Sequence, residues 1–430
     1  MTTEQLYQLY LQHPKVTTDS RTCPPGSLFF ALKGDSFNGN AYAAAAVKMG
    51  CAFAVVDEKK YALDSRFILV NDVLQTLQEL AHHHRITLGL PVIGITGSNG
   101  KTTTKELIAA VLKQNFSIYY TQGNLNNHIG VPLTLLSLTK AHQLAVVEMG
   151  ANHPGEIKTL TEIACPNVGL ITNVGKAHLE GFGSFEGVIK TKSELYDYLR
   201  VTGGQAFVNL DNPILYEKSE GINRIGYAIE KENGQVQGEI TANAPFLEVR
   251  WHNFGDATQY QLNTKLIGAY NAENILAAVC VGRYFDIDSS LICDAINNYT
   301  PQNNRSQLTE TAQNKLVVDA YNANPTSMRA ALKNFAEMDV PQKAVILGDM
   351  LELGNDSDAE HQGIVDLLVE NGFDKVFLVG ECFSKTNTNY LTFSDATALL
   401  KTISQQNLQD YYILIKGSRG IKLEILVNSL

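Results

Sequence analysis

Cysteine is sparse and never grouped in this chain. The six cysteines among 430 residues, Cys23, Cys51, Cys165, Cys280, Cys293 and Cys382, form no C-x-x-C pair and no even framework spacing, which excludes a disulfide scaffold and a cysteine-built zinc site. Basic residues are outnumbered too. The 34 Lys and Arg against 44 Asp and Glu leave a formal charge of -10, which argues against binding nucleic acid or a membrane surface through bulk basicity. No apolar run is long enough to span a bilayer, and the polar segment Met1–Pro14 lacks a charged-then-apolar signal pattern. No short fixed period recurs, so a solenoid is not expected. Together these absences predict a cytoplasmic protein in a reducing compartment, with no nucleic-acid partner and no stable membrane insertion; a monomer is expected, although none of these features bears on oligomeric state.

What is present is an ordinary globular composition, 44% hydrophobic and 18% charged, from which large cores can be built. The length exceeds one core of ~100 to 200 residues, so two or three domains are expected. From Ser27 to about His84, short apolar runs (28–32, 52–56, 67–70) alternate with helical stretches (41–49, 73–82), which predicts a small α/β unit over residues 1–86. Three adjacent histidines, His82, His83 and His84, invite a metal reading. Sequence neighbours point to different sides of a helix, so an exposed helix end is the better expectation. Residues 87–298 hold strand candidates at 92–96, 144–148, 168–172 and 206–210 separated by helical patterns, which implies a largely parallel sheet covered on both faces. Alternating sequence at 246–251 and 260–262 predicts an antiparallel extension. From 299 to 430 the rhythm restarts, with strands near 316–318, 344–347, 376–379 and 412–415 and helices near 327–338, 361–371 and 396–404, a Rossmann-like third domain.

The strongest local signal is Gly97-Ser98-Asn99-Gly100-Lys101-Thr102-Thr103, which follows the apolar run Val92–Ile95 and opens a helix. Strand, glycine turn and helix make the P-loop context. Glycines let backbone N–H groups approach phosphate oxygens, the helix start adds positive potential, Lys101 brings a point charge and Thr102 a hydroxyl for magnesium. The longer G-x-x-x-x-G-K-[ST] pattern would want glycine where Ile95 stands, so this is a shorter variant. A P-loop alone does not separate switch, motor, kinase and ligase, and no guanine-reading N-K-x-D motif is present. Glu148 ends an apolar strand where its carboxylate would project beside the nucleotide, as a magnesium ligand or as an ordinary surface glutamate. His178 follows another strand, and a lone histidine is more often structural. Periodicity alone would leave Lys192 a solvated lysine.

Taken together and in this order, these residues resemble the Mur ligase family, ATP-dependent amide-forming enzymes of bacterial cell-wall synthesis. The resemblance takes in Asn124–Pro132, the Glu148 strand, the His178 loop, the Lys192 helix, Gly268–Asn274, Asn304-Arg305-Ser306 and Asp319–Pro325, nearly the whole chain. It implies a three-domain α/β architecture with a small N-terminal domain for a UDP-substrate, a central P-loop parallel-sheet ATPase domain, and a C-terminal Rossmann-like domain. Gly348–Gly354 and the Asp319 segment look most like the member that joins D-alanyl-D-alanine to UDP-N-acetylmuramoyl-tripeptide. By position, Lys101 is then the phosphate lysine, Thr102 and Glu148 hold one Mg2+, His178 the second, and Lys192 matches a carbamylated lysine. Asn271 and Asn274 lie near the adenine of ATP, while Arg305 and Asp319 reach over from the third domain.

In the first domain the resemblance assigns Ser20, Arg21, Lys33, Asn38 and Gly39 to the uridine nucleotide, with Asn38-Gly39-Asn40 where the family commonly has Asp-Gly-His. Asn322, Asn324, Asp349 and His361 are expected to position dipeptide or peptide. The implied chemistry is attack of the tripeptide carboxylate on the γ-phosphate, with Arg305 among the groups offsetting charge, followed by amine attack on the acyl phosphate. Two other readings compete: a ligase adding another amino acid to a UDP-linked precursor, and a nucleotide-dependent binding protein. A folylpolyglutamate-type ligase fits the first domain less well.

Overall fold

A computed structural model describes residues 1–301 and 307–430. Three sheets carry the fold, each close to where alternating apolar runs predict it. The first is parallel and four-stranded, with Val16–Thr17, Leu28–Phe30, Phe53–Val56 and Phe67–Leu69 side by side in chain order. Helices Thr3–Gln12 and Val73–Leu88 cover one face.

The middle sheet has nine strands. Val92–Thr96 lies third from one edge, paired in parallel with Leu144–Glu148 on one side and Val168–Ile171 on the other. The chain therefore reverses its direction of travel across the sheet at the carboxyl end of Val92–Thr96, the position where open α/β sheets form ligand crevices. Beyond Val168–Ile171 come Gln205–Asn209 and Asn223–Ala228, then Val236–Asn243, Leu247–Asn253 and Tyr260–Asn263, with Leu247–Asn253 antiparallel to both of its neighbours; the alternating sequence predicts the second and third of these, not Val236–Asn243. Strands Ile118–Tyr120 and Asn223–Ala228 are absent from the sequence reading, being short or only partly buried.

The third sheet has six strands, with Tyr412–Lys416 between Lys315–Asp319 and Lys343–Gly348. Helices Pro325–Glu337 and Ser357–Glu370 match expectation. The helix expected over 396–404 instead stops at Leu400 and gives way to a 3-10 turn at Ile403–Gln406.

The histidine run corrects another expectation. The helix continues past residue 86 to Leu88, where Gly89 ends it in the left-handed conformation (φ 66) that glycine adopts without a Cβ penalty. His84 is buried rather than exposed. Its Nδ1 accepts from the Tyr7 hydroxyl at 3.2 Å and its Nε2 donates to the Leu138 carbonyl at 2.9 Å, while burial lowers its pKa. Tyr10 donates to the Leu136 carbonyl at 2.6 Å. Arg85, also buried, donates from Nε to the Ala164 carbonyl at 3.0 Å, and from Nη2 to the Cys165 carbonyl at 3.0 Å and Asn167 Oδ1 at 2.9 Å. Polar side chains thus fasten the first domain to the second. Among the described residues no helix is long and apolar enough to cross a membrane.

Candidate functional site

The turn after Val92–Thr96 begins at Gly97, whose φ of 140 and whose approach to Thr172 (an added Cβ would stand 2.0 Å from Oγ1) admit no side chain. The loop is lashed to the neighbouring strand end: Asn99 N–H donates to Asn173 Oδ1 at 3.0 Å, and Thr172 Oγ1 donates to the Asn99 carbonyl at 2.6 Å. Helix Lys101–Leu112 starts at Gly100. Lys101 folds back over the loop, its Nζ donating to the carbonyls of Gly97 at 2.7 Å and Ser98 at 3.1 Å. This ammonium beside a helix amino terminus forms a positive cradle for a phosphate.

Register sets the next group. Ile95 pairs with Glu148 across the parallel ladder, so the Glu148 carboxylate emerges level with the loop. It is buried and accepts from Thr102 Oγ1 at 3.0 Å and Asn126 Nδ2 at 2.9 Å, with Lys105 Nζ 3.5 Å away. A hydroxyl and a carboxylate side by side make an oxygen-rich pair that suits magnesium.

Lys192, on helix Phe185–Thr202, is 2% exposed rather than solvated. Its Nζ donates to the Ala151 carbonyl at 3.3 Å and stands 5.2 Å from the centroid of the Phe182 ring. Burial, reinforced by the positive charge of Lys101, pulls its pKa down to about 7. His178 has a left-handed backbone, φ 52, and its Nδ1 hydrogen-bonds the Glu352 carboxylate of the third domain.

A cavity of about 780 Å³ lies between the second and third domains, lined by Ser98 to Thr103, Glu148, His178, Asn271, Asn274, Asp319 and Asn322. Asn274 Nδ2 donates to Asn271 Oδ1 at 2.8 Å, and Thr104 Oγ1 donates to Asn274 Oδ1 at 2.9 Å. Across the gap, Lys416 pairs with Asp319. Asn324 caps helix Pro325–Glu337 and its Nδ2 donates to Asn99 Oδ1 at 2.7 Å, tying that helix to the glycine turn.

The chain matches family models for the Mur ligase family catalytic domain over residues 15–85, the Mur ligase middle domain over 95–282 and the Mur ligase glutamate ligase domain over 304–419. It is 35% identical to UDP-N-acetylmuramoyl-tripeptide--D-alanyl-D-alanine ligase of Escherichia coli, covering 96% of this chain and 93% of that protein. With the enzyme of the same name from Bacillus subtilis it shares 32% identity, covering 96% and 92%. The chain belongs to the Mur ligase family. A crystal structure of MurF from Acinetobacter baumannii superposes with a TM-score of 0.88 at 31% identity, covering 100% of this chain and 98% of that one. MurF ligase from Thermotoga maritima in complex with ADP gives 0.86 at 26% identity, covering 96% of each.

Not every residue singled out from the sequence of this Mur ligase reaches the cavity. Arg305 lies outside the described residues. Ser20, Arg21, Lys33, Asn38 and Gly39 sit apart, in the first domain. There Arg21 holds the Asp19 carboxyl down to about 2, and Lys33 pairs with Asp57 at 2.8 Å. Asn38 Oδ1 accepts from Asn40 N–H at 3.0 Å, and Gly39 leaves room for the Leu32 carbonyl, 2.2 Å from where a Cβ would stand. Asn40 is itself a buried pin, bonded through both side-chain atoms to Asp57.

Asp349 and His361, expected to position dipeptide or peptide, do not line the cavity and are engaged within the third domain. His361 is fully buried. Its Nε2 accepts from Met350 N–H at 3.0 Å and its Nδ1 donates to the Ser357 carbonyl at 2.7 Å, leaving no ring nitrogen for a substrate. Both Asp349 oxygens accept from backbone N–H groups, those of Cys382 and Phe383, at 2.9 Å. The sequence reading missed Lys105 and Lys416, and it gave no role to Asn126 and Glu352 although both lie in the segments that carry the resemblance. Lys105 offered one signal: it stands three residues after Thr102 on the same helix and so shares its face.

Proposed function

We propose that this protein joins D-alanyl-D-alanine to UDP-N-acetylmuramoyl-tripeptide at the expense of ATP, through an acyl phosphate, for peptidoglycan synthesis. The observation that carries the reading is the single cavity where the P-loop cradle and the Thr102–Glu148 pair face Asp319 and Asn322 of the third domain. Kinship with ligases of that name over nearly full length supplies the substrates.

Lys101 and the N–H groups of the glycine turn bind the β- and γ-phosphates and offset charge as the tripeptide carboxylate oxygen attacks phosphorus and ADP leaves. The amine of D-alanyl-D-alanine then attacks the acyl carbon, phosphate departs with the C–O bond electrons, and the ammonium proton is lost to solvent or a base. Asn271 and Asn274 contact the adenine end, and Asp319, with Arg305, the ribose and phosphates. Ser20, Arg21, Lys33, Asn38 and Gly39 hold the uridine nucleotide, and Asn322 and Asn324 border the peptide.

Thr102 and Glu148 fit one magnesium ion, and His178 with a carbamylated Lys192 a second; when bound, these ions would neutralise charge on the triphosphate. A lysine poised near neutrality is a nucleophilic amine, and its addition to carbon dioxide, with loss of one proton, converts a cation that repels magnesium into an anionic carbamate.

The test is phosphate release from ATP with the UDP-muramoyl tripeptide, with and without D-alanyl-D-alanine, together with mass analysis of the uridine-linked product. Dipeptide-dependent phosphate with pentapeptide formed is the expected result. Turnover only with another amine changes the substrate, and none with any amine overturns the reading.

A further inference from the structure

His178 and Glu352 are both non-glycine residues with left-handed backbones, φ 52 and φ 64, a conformation that L side chains adopt only when their surroundings hold them there. They belong to different domains and they meet. His178 precedes helix Leu179–Phe182 in the middle domain, and Glu352 follows strand Lys343–Gly348 in the third. The side chains are joined from Nδ1 to the carboxylate. The backbones are joined too, Glu180 N–H donating to the Glu352 carbonyl at 3.2 Å. Two residues on, Gly354 lies against Glu180, whose Cα is 3.5 Å from where a Cβ would stand.

A neutral imidazole has one donor and one acceptor nitrogen, and the partner of the first decides the identity of the second. With Nδ1–H donated to Glu352, the lone pair lies on Nε2. Both side chains line the cavity, and among the described residues no hydrogen bond to Nε2 is formed. Histidines that hold metals are commonly oriented by a carboxylate on the far nitrogen.

We propose that Glu352 is the positioning residue for His178: it fixes the tautomer and the ring orientation that present Nε2 to a divalent cation. Because Glu352 arrives on the third domain, the cation site is complete only when that domain is docked. This rests on the reading of His178 as a cation ligand. Docking itself has separate supports, since Lys176 pairs with Glu360 at 2.6 Å and its N–H donates to Thr326 Oγ1 at 3.1 Å.

The experiment measures Mn2+ affinity of the ADP-bound full chain by electron paramagnetic resonance for wild type, Glu352→Ala, Glu352→Gln, His178→Ala, the His178→Ala/Glu352→Ala double variant, and Lys176→Ala. Glu352→Ala is expected to weaken Mn2+ binding by about 10- to 100-fold, and Glu352→Gln, which keeps an acceptor for Nδ1–H, by less. In the His178→Ala background the Glu352 change is expected to add nothing, and Lys176→Ala to stay within about fivefold of wild type. A loss in His178→Ala with none in Glu352→Ala overturns the positioning role and leaves the ligand reading standing. No loss in His178→Ala overturns the ligand reading itself. Further weakening in the double variant would make Glu352 act independently of His178, and an equal loss in Lys176→Ala would reduce its effect to docking; either overturns the proposal.

Discussion

Lys105 Nζ stands 3.5 Å from Oε2 of Glu148, with both side chains buried. The lysine sets an ammonium beside the carboxylate under the glycine turn. Removing one partner of a buried pair strands the other charge, so Lys105→Met is expected to cost about 3 kcal/mol of stability. Chemical denaturation checks this, and Mg2+ with ADP should restore part of the loss. A variant as stable as wild type would show that Thr102 and Asn126 alone suffice for Glu148.

Lys192 gives a pH dependence whose sign is fixed. Its pKa is lowered to about 7 in the folded chain and is about 10.4 in an unfolded one. Between these values the unfolded chain binds more protons, so folding stability gains up to about 1.4 kcal/mol per pH unit as pH rises. Below pH 7 the burial penalty is fully present. In carbon dioxide-free buffer Lys192→Met should lack this rise, making it more stable than wild type at low pH, with the advantage shrinking toward pH 10. Parallel curves would refute the lowered pKa. Turnover of Lys192→Ala should fall and recover with a short carboxylic acid supplying the missing anion.

His361→Ala separates structural from substrate roles. It leaves Met350 N–H and the Ser357 carbonyl without their side-chain partner inside the third domain, a loss of about 2 to 4 kcal/mol. The KM for D-alanyl-D-alanine should hold at temperatures where the variant is folded. A selective rise in that KM would restore the residue to the substrate site.

Asn324→Ala removes a helix cap worth about 1 kcal/mol together with the bond to Asn99. Asn324→Ser keeps the cap and loses the bond. If the bond steadies the glycine turn, both variants lose turnover while only the alanine variant loses stability; full activity in the serine variant would show that the bond does not matter.

Legibility in the sequence follows physical range. The glycine turn was readable because strand, turn and helix are contiguous, and the antiparallel edge because its alternation is local. Lys192 was not: helical periodicity left it on a solvated face, and it is buried because Phe182 and Ala151, from other segments, close over it. The partners of Asp349 were not legible either, because the Cys382 and Phe383 N–H groups it accepts from belong to a helix that only the fold brings near. Glu352 lay inside the Gly348–Gly354 segment that carries the resemblance, but its partner, a histidine from another domain, was not legible there.

The bonds from Tyr10 to the Leu136 carbonyl and from Arg85 to the Ala164 carbonyl have a bearing on how the chain comes apart. Severing the first domain from the second would leave carbonyls without donors and bare the apolar floor beneath helix Val73–Leu88. On heating, these two units should therefore melt in one calorimetric transition, and a fragment beginning at Pro91 would aggregate where one spanning residues 1–300 stays in solution.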